Sequence, residues 1–379
     1  MKKALLVTTV SGFVPQFEMN SVLLLQKSGY EIHYATDYNH VFYGKDNKRL
    51  DGTGIVRHQI DFSRSPYSMQ TFIAYKQLDK VLSENDFDVI HCHTPVGSIL
   101  SRLVGKKHKI KKVIYTAHGF HFYKGASFFN WSLYYPIERI MARYTDALIT
   151  INREDFINAQ KFKLKNGGHV YYVAGAGIDL KKYSRTEVDT FKKKEELGII
   201  DKDFVILSVG ELNRNKNHET VIRGLSKVNH QNIKYIICGD GIYRESLKKV
   251  IKDLHMQECV KLLGYRTDIP EIEKISDLFV FPSFREGLPV SMMEAMAAGL
   301  PVIASKIRGN VDLIKVGVNG FLLNPKKHME WGTKIIELMS QKDLLKRISK
   351  KNITEMKKYD KSVIRDQMES VYRELGIIE

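Results

Sequence analysis

Short apolar, β-branched runs recur along the chain at intervals that leave room for a helix between them. In the first half these runs are Ala4–Val10, Glu31–Ala35, Asp88–His91, Lys112–Thr116, Ala147–Ile151 and Val170–Val173. They are short and mostly unbroken rather than alternating, which predicts strands covered on both faces, as in a parallel sheet. Stretches such as Gln70–Asn85 and Ile137–Tyr144 read as helices between them, so the first half is a βαβ series and predicts a doubly wound domain. The series restarts at Asp203–Gly210 and continues through Lys234–Cys238, Cys259–Leu263, Leu278–Phe281 and Pro301–Ala304. Between the two series, Ala174–Asp179 and the charged stretch Lys181–Glu196 read as crossover and linker, with a boundary near 175–200. The segment 361–376 has the pattern of an amphipathic helix. The expected architecture is α/β: two doubly wound domains over 1–180 and 181–360 with a cleft between them, and a terminal helix over 361–379 packing back towards the first domain. Ligands of such sheets gather beyond the carboxyl ends of the strands, so the loops after each strand are where chemistry is expected.

Composition narrows the picture. A chain of 379 residues exceeds one ordinary core, and 43% hydrophobic and 27% charged residues without a low-complexity tract exclude wholesale disorder. The net charge of +16 favours anionic partners (nucleotides, nucleic acid, an acidic membrane surface) without choosing among them. Cys92, Cys238 and Cys259 lie far apart with no CxxC spacing, which predicts neither a disulfide framework nor a zinc site and fits a reducing, cytoplasmic location. Met1-Lys2-Lys3 followed by Ala4–Val10 imitates a signal peptide, but the run is short and lacks a small-residue cleavage site, so it reads as the first buried strand. No apolar run is long enough to span a bilayer.

The most informative segment is Pro282-Ser-Phe-Arg-Glu286-Gly-Leu-Pro-Val-Ser-Met-Met-Glu294-Ala-Met-Ala-Ala-Gly-Leu-Pro-Val-Ile-Ala304. A strand ends, a loop carries Glu286, and a helix starts near Pro289 and stops at Gly299, the positions those residue types favour. The segment Gly287, Leu288, Pro289 and Val290, where the helix begins, makes a seat for phosphate, its free backbone N–H groups coming from the residues other than Pro289. Glu286 stands at its mouth and Glu294 on the helix beyond, one suited to sugar hydroxyls and the other to a ribose diol. Two solvated glutamates on a helix would share this spacing; the surrounding run of residues is what favours a site.

This segment resembles the Glu-x7-Glu signature of the retaining, nucleotide-sugar-dependent glycosyltransferases of family 4, which have the GT-B fold. The likeness extends to Val209-Gly-Glu-Leu-Asn-Arg-Asn-Lys-Asn-His218, Gly239-Asp-Gly241, Leu263-Gly-Tyr-Arg266, Thr116-Ala-His-Gly119 and Gly177-Ile-Asp179, and so covers essentially the whole chain. It implies a metal-independent hexosyltransferase without a cofactor, using a UDP sugar and acting in capsule or exopolysaccharide synthesis. It also implies a glycan acceptor, carried on a polyprenyl diphosphate, met at the inner face of the membrane.

Site residues follow from position and resemblance together. Gly210, Arg214 and Lys216 follow the first strand of the second series; the resemblance assigns Lys216 to the diphosphate. Many relatives carry arginine where this chain has Glu211, and Arg214 is the candidate to take that part. His118 resembles the family's first-domain histidine, which faces the donor sugar and orients it together with Glu286. The loop of Tyr265 and Arg266 is one that the family uses to hold the nucleobase. Gly12 follows the first strand, where a flexible loop suits phosphate or acceptor and a simple turn is the equal alternative. His93, with no carboxylate or thiol at metal-ligand spacing, reads as structural or lining. Asp86-Phe-Asp88 and Asp201-Lys-Asp203 imitate a metal-binding pair, but each precedes a strand and so sits at the wrong edge. Eight aromatics from Phe120 to Tyr135 and five lysines within Lys106–Lys112 suggest an interfacial patch for an anionic bilayer, against the alternative of core packing and a solvated turn. A nucleotide-sugar epimerase of the same double-sheet plan is the rival enzyme. A nucleic-acid binder would fit the charge, but no such motif is present.

Overall fold

In the computed structural model, residues 1–44, 46–63, 68–165, 167–229 and 231–379 are described. The chain divides into two compact units, Met1–Gly177 with Lys361–Glu379, and Ile178–Asp360.

The first unit is a seven-stranded parallel sheet of β1 (Lys2–Val7), β2 (Tyr30–Thr36), β3 (Val56–Gln59), β4 (Val89–Cys92), β5 (Lys112–Ala117), β6 (Ala147–Thr150) and β7 (His169–Tyr172), in the order 3-2-1-4-5-6-7. Helices cover both faces, which is why the central strands are apolar throughout: Ala4 to Val7 and Val89 to Cys92 are all buried. Strand order reverses between β1 and β4, which pair in register from Ala4–Val89 to Val7–Cys92. The chain returns to this unit at its end. The helix Lys361–Glu374 buries Ile364, Met368, Val371 and Tyr372, and the Tyr372 hydroxyl meets His91 Nδ1 at 2.9 Å.

The second unit repeats the plan with six parallel strands: β8 (Phe204–Val209), β9 (Ile233–Cys238), β10 (Val260–Gly264), β11 (Leu278–Phe281), β12 (Val302–Ser305) and β13 (Phe321–Leu323), ordered 10-9-8-11-12-13. The reversal here lies between β8 and β11, where Leu278 pairs with Ile206 and Phe279 with Leu207. One face packs Leu212, Val221, Leu225, Trp331 and Ile335 against the sheet.

Two edge strands, β3 and β13, escape the sequence pattern. β3 is Val-Arg-His-Gln, mostly exposed, and β13 spans three residues with no fully buried position. The charged stretch read as linker holds two short helices, Leu180–Arg185 and Thr190–Glu196, each begun by an aspartate whose side chain accepts first-turn N–H bonds. All three cysteines are buried and free. No helix among the described residues is long and apolar enough to cross a membrane.

Candidate active site

Both constellations of interest sit at a point where strand order reverses, one in each unit.

In the second unit, β8 and β11 deliver their loops side by side. Asn217 adopts a left-handed conformation (φ 54°) and donates from Nδ2 to the carbonyls of Pro282 (3.0 Å) and Pro325 (2.9 Å). Asn215 donates to the Arg285 carbonyl at 2.9 Å and accepts the Phe284 N–H at 2.8 Å. These bonds stitch the two loops together and aim Lys216 and Glu286 at each other, Nζ to Oε1 2.8 Å, with the ammonium 4.7 Å from the centre of the Phe281 ring. Glu286 is further fixed through its backbone, whose carbonyl accepts from Arg308 Nε at 3.1 Å. A Cβ at Gly309 would overlap the Gly287 carbonyl, so only glycine admits this approach.

The helix that follows runs Val290–Ala297 from an N-cap at Pro289 that offers no side-chain hydrogen bond, leaving its first-turn N–H groups for a ligand. Leu288 is buried beneath, and Gly287 and Glu294 are half-buried. Glu294 faces Tyr183, whose hydroxyl is held well above its usual range by burial and then by the nearby carboxylates of Glu294 and Glu273. If Glu294 grips a ribose, Glu294→Ala should weaken binding of free UDP by about 1.5–3 kcal/mol, the worth of one hydrogen bond to a charged group; calorimetry on the folded variant measures it, and unchanged affinity rejects the role.

The remaining second-unit candidates divide. The Gly210 N–H is already taken by the Cys238 carbonyl at 2.9 Å, which engages it in the sheet. Arg214 and Glu211 are exposed. Arg266 donates to Asp268 at 2.8 Å and to Glu196 at 2.7 Å, so its guanidinium is held by the protein's own carboxylates, while Tyr265 is 67% exposed.

In the first unit, the loops after β1, β4 and β5 converge. His118 follows β5 and His93 follows β4, with His118 Nε2 and His93 Nδ1 3.2 Å apart. Glu18 ends the helical turn Val14–Glu18, whose first turn carries Pro15, and its Oε1 lies 3.6 Å from each of those nitrogens. Its other oxygen accepts from Ser21 Oγ at 2.9 Å. Thus the fold supplies His93 with a carboxylate neighbour that spacing along the chain did not show, and the three donor atoms are close enough for a cation to bridge. Burial pushes the Glu18 carboxyl up to about 7 and drives His118 down to about 4, and burial together with the neighbouring His91 and His118 holds His93 well below its usual range. Phe13 packs edge-on to His118 at 4.8 Å. Next to His93, Thr94 has φ 59° and ψ 141°, a strained conformation for a β-branched residue of the kind that clusters at functional sites. Gly12 is buried, and a Cβ there would overlap the Phe42 carbonyl, so it serves close packing of two loops.

Two other sequence expectations change. Of the eight aromatics, Phe120 and Phe122 are core, Trp131, Tyr134 and Tyr135 pack against it and Tyr123 is half-buried, leaving Phe128 and Phe129 strongly exposed. In the lysine run, Lys107 pairs with Asp79, Lys111 with Asp88, and Lys106 with the Tyr144 hydroxyl. The imitation metal pairs are local structure: Asp88 accepts the Lys3 N–H at 3.1 Å and Asp203 the Ile200 N–H at 3.0 Å.

Two doubly wound parallel sheets, the second carrying a lysine, a carboxylate and an uncapped helix at its reversal, define a GT-B-like α/β architecture. Residues 3–152 match the model of the "Glycosyl transferase 4-like" family and residues 189–355 that of "Glycosyl transferases group 1". The chain is 31% identical to "Putative glycosyltransferase EpsD" of Bacillus subtilis over 98% of its own length and 96% of that protein's. It therefore belongs to the group 1, family 4-like glycosyltransferases. It is also 31% identical, over 65% of each chain, to the Escherichia coli "UDP-Gal:alpha-D-GlcNAc-diphosphoundecaprenol alpha-1,3-galactosyltransferase". The crystal structure of Anabaena HepE with UDP and glucose shares the GT-B fold, with a TM-score of 0.79 at 19% identity over 98% of this chain and all of that one.

Proposed function

We propose that this protein moves a hexose or N-acetylhexosamine from a UDP sugar to a lipid-diphosphate-linked glycan, with retention at the anomeric carbon, in the assembly of exopolysaccharide or capsule. The observation that carries the reading is the Lys216 ammonium at the carboxyl end of a central strand, held by Glu286 and adjoining the uncapped helix start. That is a seat for a diphosphate. The acceptor class rests on the names of the relatives above, one of which uses UDP-Gal and a diphosphoundecaprenol-linked sugar.

In this reading the bond from the anomeric carbon to the diphosphate oxygen breaks through an oxocarbenium-like state. Charge growing on the leaving group is met by Lys216 and the helix N–H groups, already in place and so costing no reorganisation. The acceptor hydroxyl attacks on the same face, and its proton passes to the departing phosphate oxygen. Glu286 and His118 orient the sugar. Lys216 supplies the charge that other transferases take from a divalent ion, so the reaction runs without one. Phe128 and Phe129 offer apolar anchors at a bilayer surface where such an acceptor resides.

The test is a panel of nucleotide sugars scored by thermal shift, then by transfer to a polyprenyl-diphosphate N-acetylglucosamine in anionic vesicles. A UDP sugar should stabilise the protein and yield an α-linked product, with chelator present or absent. Strict metal dependence, an inverted product or isomerisation of the nucleotide sugar without transfer would each refute the reading.

A further inference from the structure

We propose that Glu18, His93 and His118 form a site for a transition-metal ion of the Zn2+ class, and that the ion, by engaging His118, reversibly inhibits the protein. The site rests on geometry and donor chemistry; its consequence for turnover rests on the transferase reading above.

Three donor atoms, Glu18 Oε1, His93 Nδ1 and His118 Nε2, form a triangle with edges of 3.6, 3.6 and 3.2 Å. The point equidistant from them lies about 2.0 Å from each, the length of a zinc bond to nitrogen or carboxylate oxygen. A tetrahedral ion with such bonds sets its ligand atoms about 3.3–3.4 Å apart, and the observed edges straddle that value. The fold therefore presents one face of a coordination tetrahedron and leaves the fourth corner open. The frame is firm. His93 is tied to the first strand by its backbone N–H, which donates to the Val7 carbonyl at 2.9 Å. Phe13 packs against both rings, 5.6 Å from His93 and 4.8 Å from His118.

The donor set selects the ion. Two imidazoles and one carboxylate suit Zn2+, Co2+ or Ni2+, whereas Mg2+ and Ca2+ take oxygen ligands. Burial adds a reason for a cation: Glu18 is 7% exposed, and among the described residues no lysine or arginine pairs with it. On binding, the ring that donates across the 3.2 Å gap changes tautomer, so that both facing nitrogens present lone pairs. A proton held on Glu18 is released to solvent. The ion enters past His118, whose side chain is 24% accessible and borders a small cavity also lined by Ser21 and Thr116.

The surroundings set the strength. Ser21 Oγ donates to the other Glu18 oxygen at 2.9 Å, which orients the carboxylate as an outer partner does in a metal centre. His93 Nε2 is buried without a hydrogen-bond partner. A missing outer partner costs about 10–100-fold in metal affinity, so the ion exchanges with solvent instead of serving as a permanent brace. While bound, it takes His118 out of service for the sugar.

Co2+ is the probe, because a four-coordinate Co2+ ion on nitrogen and oxygen absorbs visible light and needs no turnover to be read. Titrated into the untagged full-length chain, it should develop that band to one equivalent. Zn2+ should bleach the band by displacement, and a large excess of Mg2+ should not. Ser21→Ala should weaken Co2+ binding by about tenfold. Glu18→Gln, which keeps the shape but loses a ligand, should weaken it by more than the roughly hundredfold that an outer partner is worth. If Glu18→Gln fails to fold by circular dichroism, Ser21→Ala carries the comparison. With UDP-galactose as substrate, Zn2+ should suppress UDP release by the wild type and EDTA should restore it. The diphosphate itself chelates, so the control is the residual turnover of Glu18→Gln, which the same Zn2+ should leave unchanged. No visible band, a band that both variants retain at wild-type affinity, displacement by Mg2+ as readily as by Zn2+, or equal inhibition of wild type and Glu18→Gln would overturn the proposal. A chain that turns over no UDP sugar would refute the transferase reading instead, and the Co2+ titration would still decide the site.

Discussion

Lys216→Ala is expected to lower turnover of a UDP sugar by about 10²–10³-fold while leaving the fold intact, the usual cost of removing one preorganised group that meets charge developing in the transition state. The expectation rests on placement. Lys216 follows the central strand β8, its backbone N–H donates to Asn213 Oδ1 at 3.0 Å, and its ammonium is half-buried against Glu286 and the Phe281 ring. Its charge is felt locally: His218, two positions on, is held down to about 3 by burial and then by Lys216. Arg214, exposed on the same loop, is too loosely placed to substitute fully. Glu286→Ala should be damaging as well, and because the two side chains touch, the double variant should lose less than the sum of the single losses. Steady-state UDP release with circular dichroism as the folding control measures all three. A Lys216→Ala enzyme that works like the wild type would remove the diphosphate assignment.

Arg102→Met is expected to destabilise the first unit by about 3–5 kcal/mol, the cost of leaving one partner of a buried ion pair behind. Arg102 is fully buried on the helix Pro95–Lys107; its Nη1 lies 2.9 Å from Glu138 Oε2 and its guanidinium 4.3 Å from the centre of the Tyr115 ring. It also donates to the carbonyl and the hydroxyl of Ser98, both at 3.0 Å. Removing it strands the Glu138 carboxylate in an apolar layer. For a unit of this size the melting temperature should drop by about 10 °C. The double variant Arg102→Met/Glu138→Leu should recover most of that loss, since two apolar groups satisfy each other. Thermal unfolding of both variants tests this, and a single variant as stable as the wild type would show that the Tyr115 hydroxyl, which donates to Glu138 Oε1 at 3.3 Å, suffices for the carboxylate.

Some of this was legible along the chain. The central strands were visible because a sheet covered on both faces demands continuous apolar runs, and Leu278–Phe281 was delimited to the residue. The edge strands β3 and β13 were not, since an edge needs neither burial nor length. Glu286 and Glu294 could be placed on one loop and helix because eight positions of one segment carry their own local geometry. Read in the same way, the Phe120–Tyr135 aromatics suggested an exposed patch with core packing as the alternative, yet only Phe128 and Phe129 are strongly exposed, because composition counts rings without saying which way they point.

The sequence by itself determined two doubly wound domains, the loops that carry chemistry and the family to which they belong, because strand periodicity, caps and short motifs are local properties. Only the tertiary structure decided which side chains act together. Lys216 and Glu286 meet across 70 residues because β8 and β11 are neighbours where the strand order reverses. In the first sheet β1, β4 and β5 lie side by side, which brings Glu18, His93 and His118 to one point. His93 read as a bystander because no ligand stood near it in sequence, and Glu18 carried no signal at all. A carboxyl changes its proton affinity only when neighbours take its water away, and in this protein those neighbours come from the next strands and from the chain's last helix.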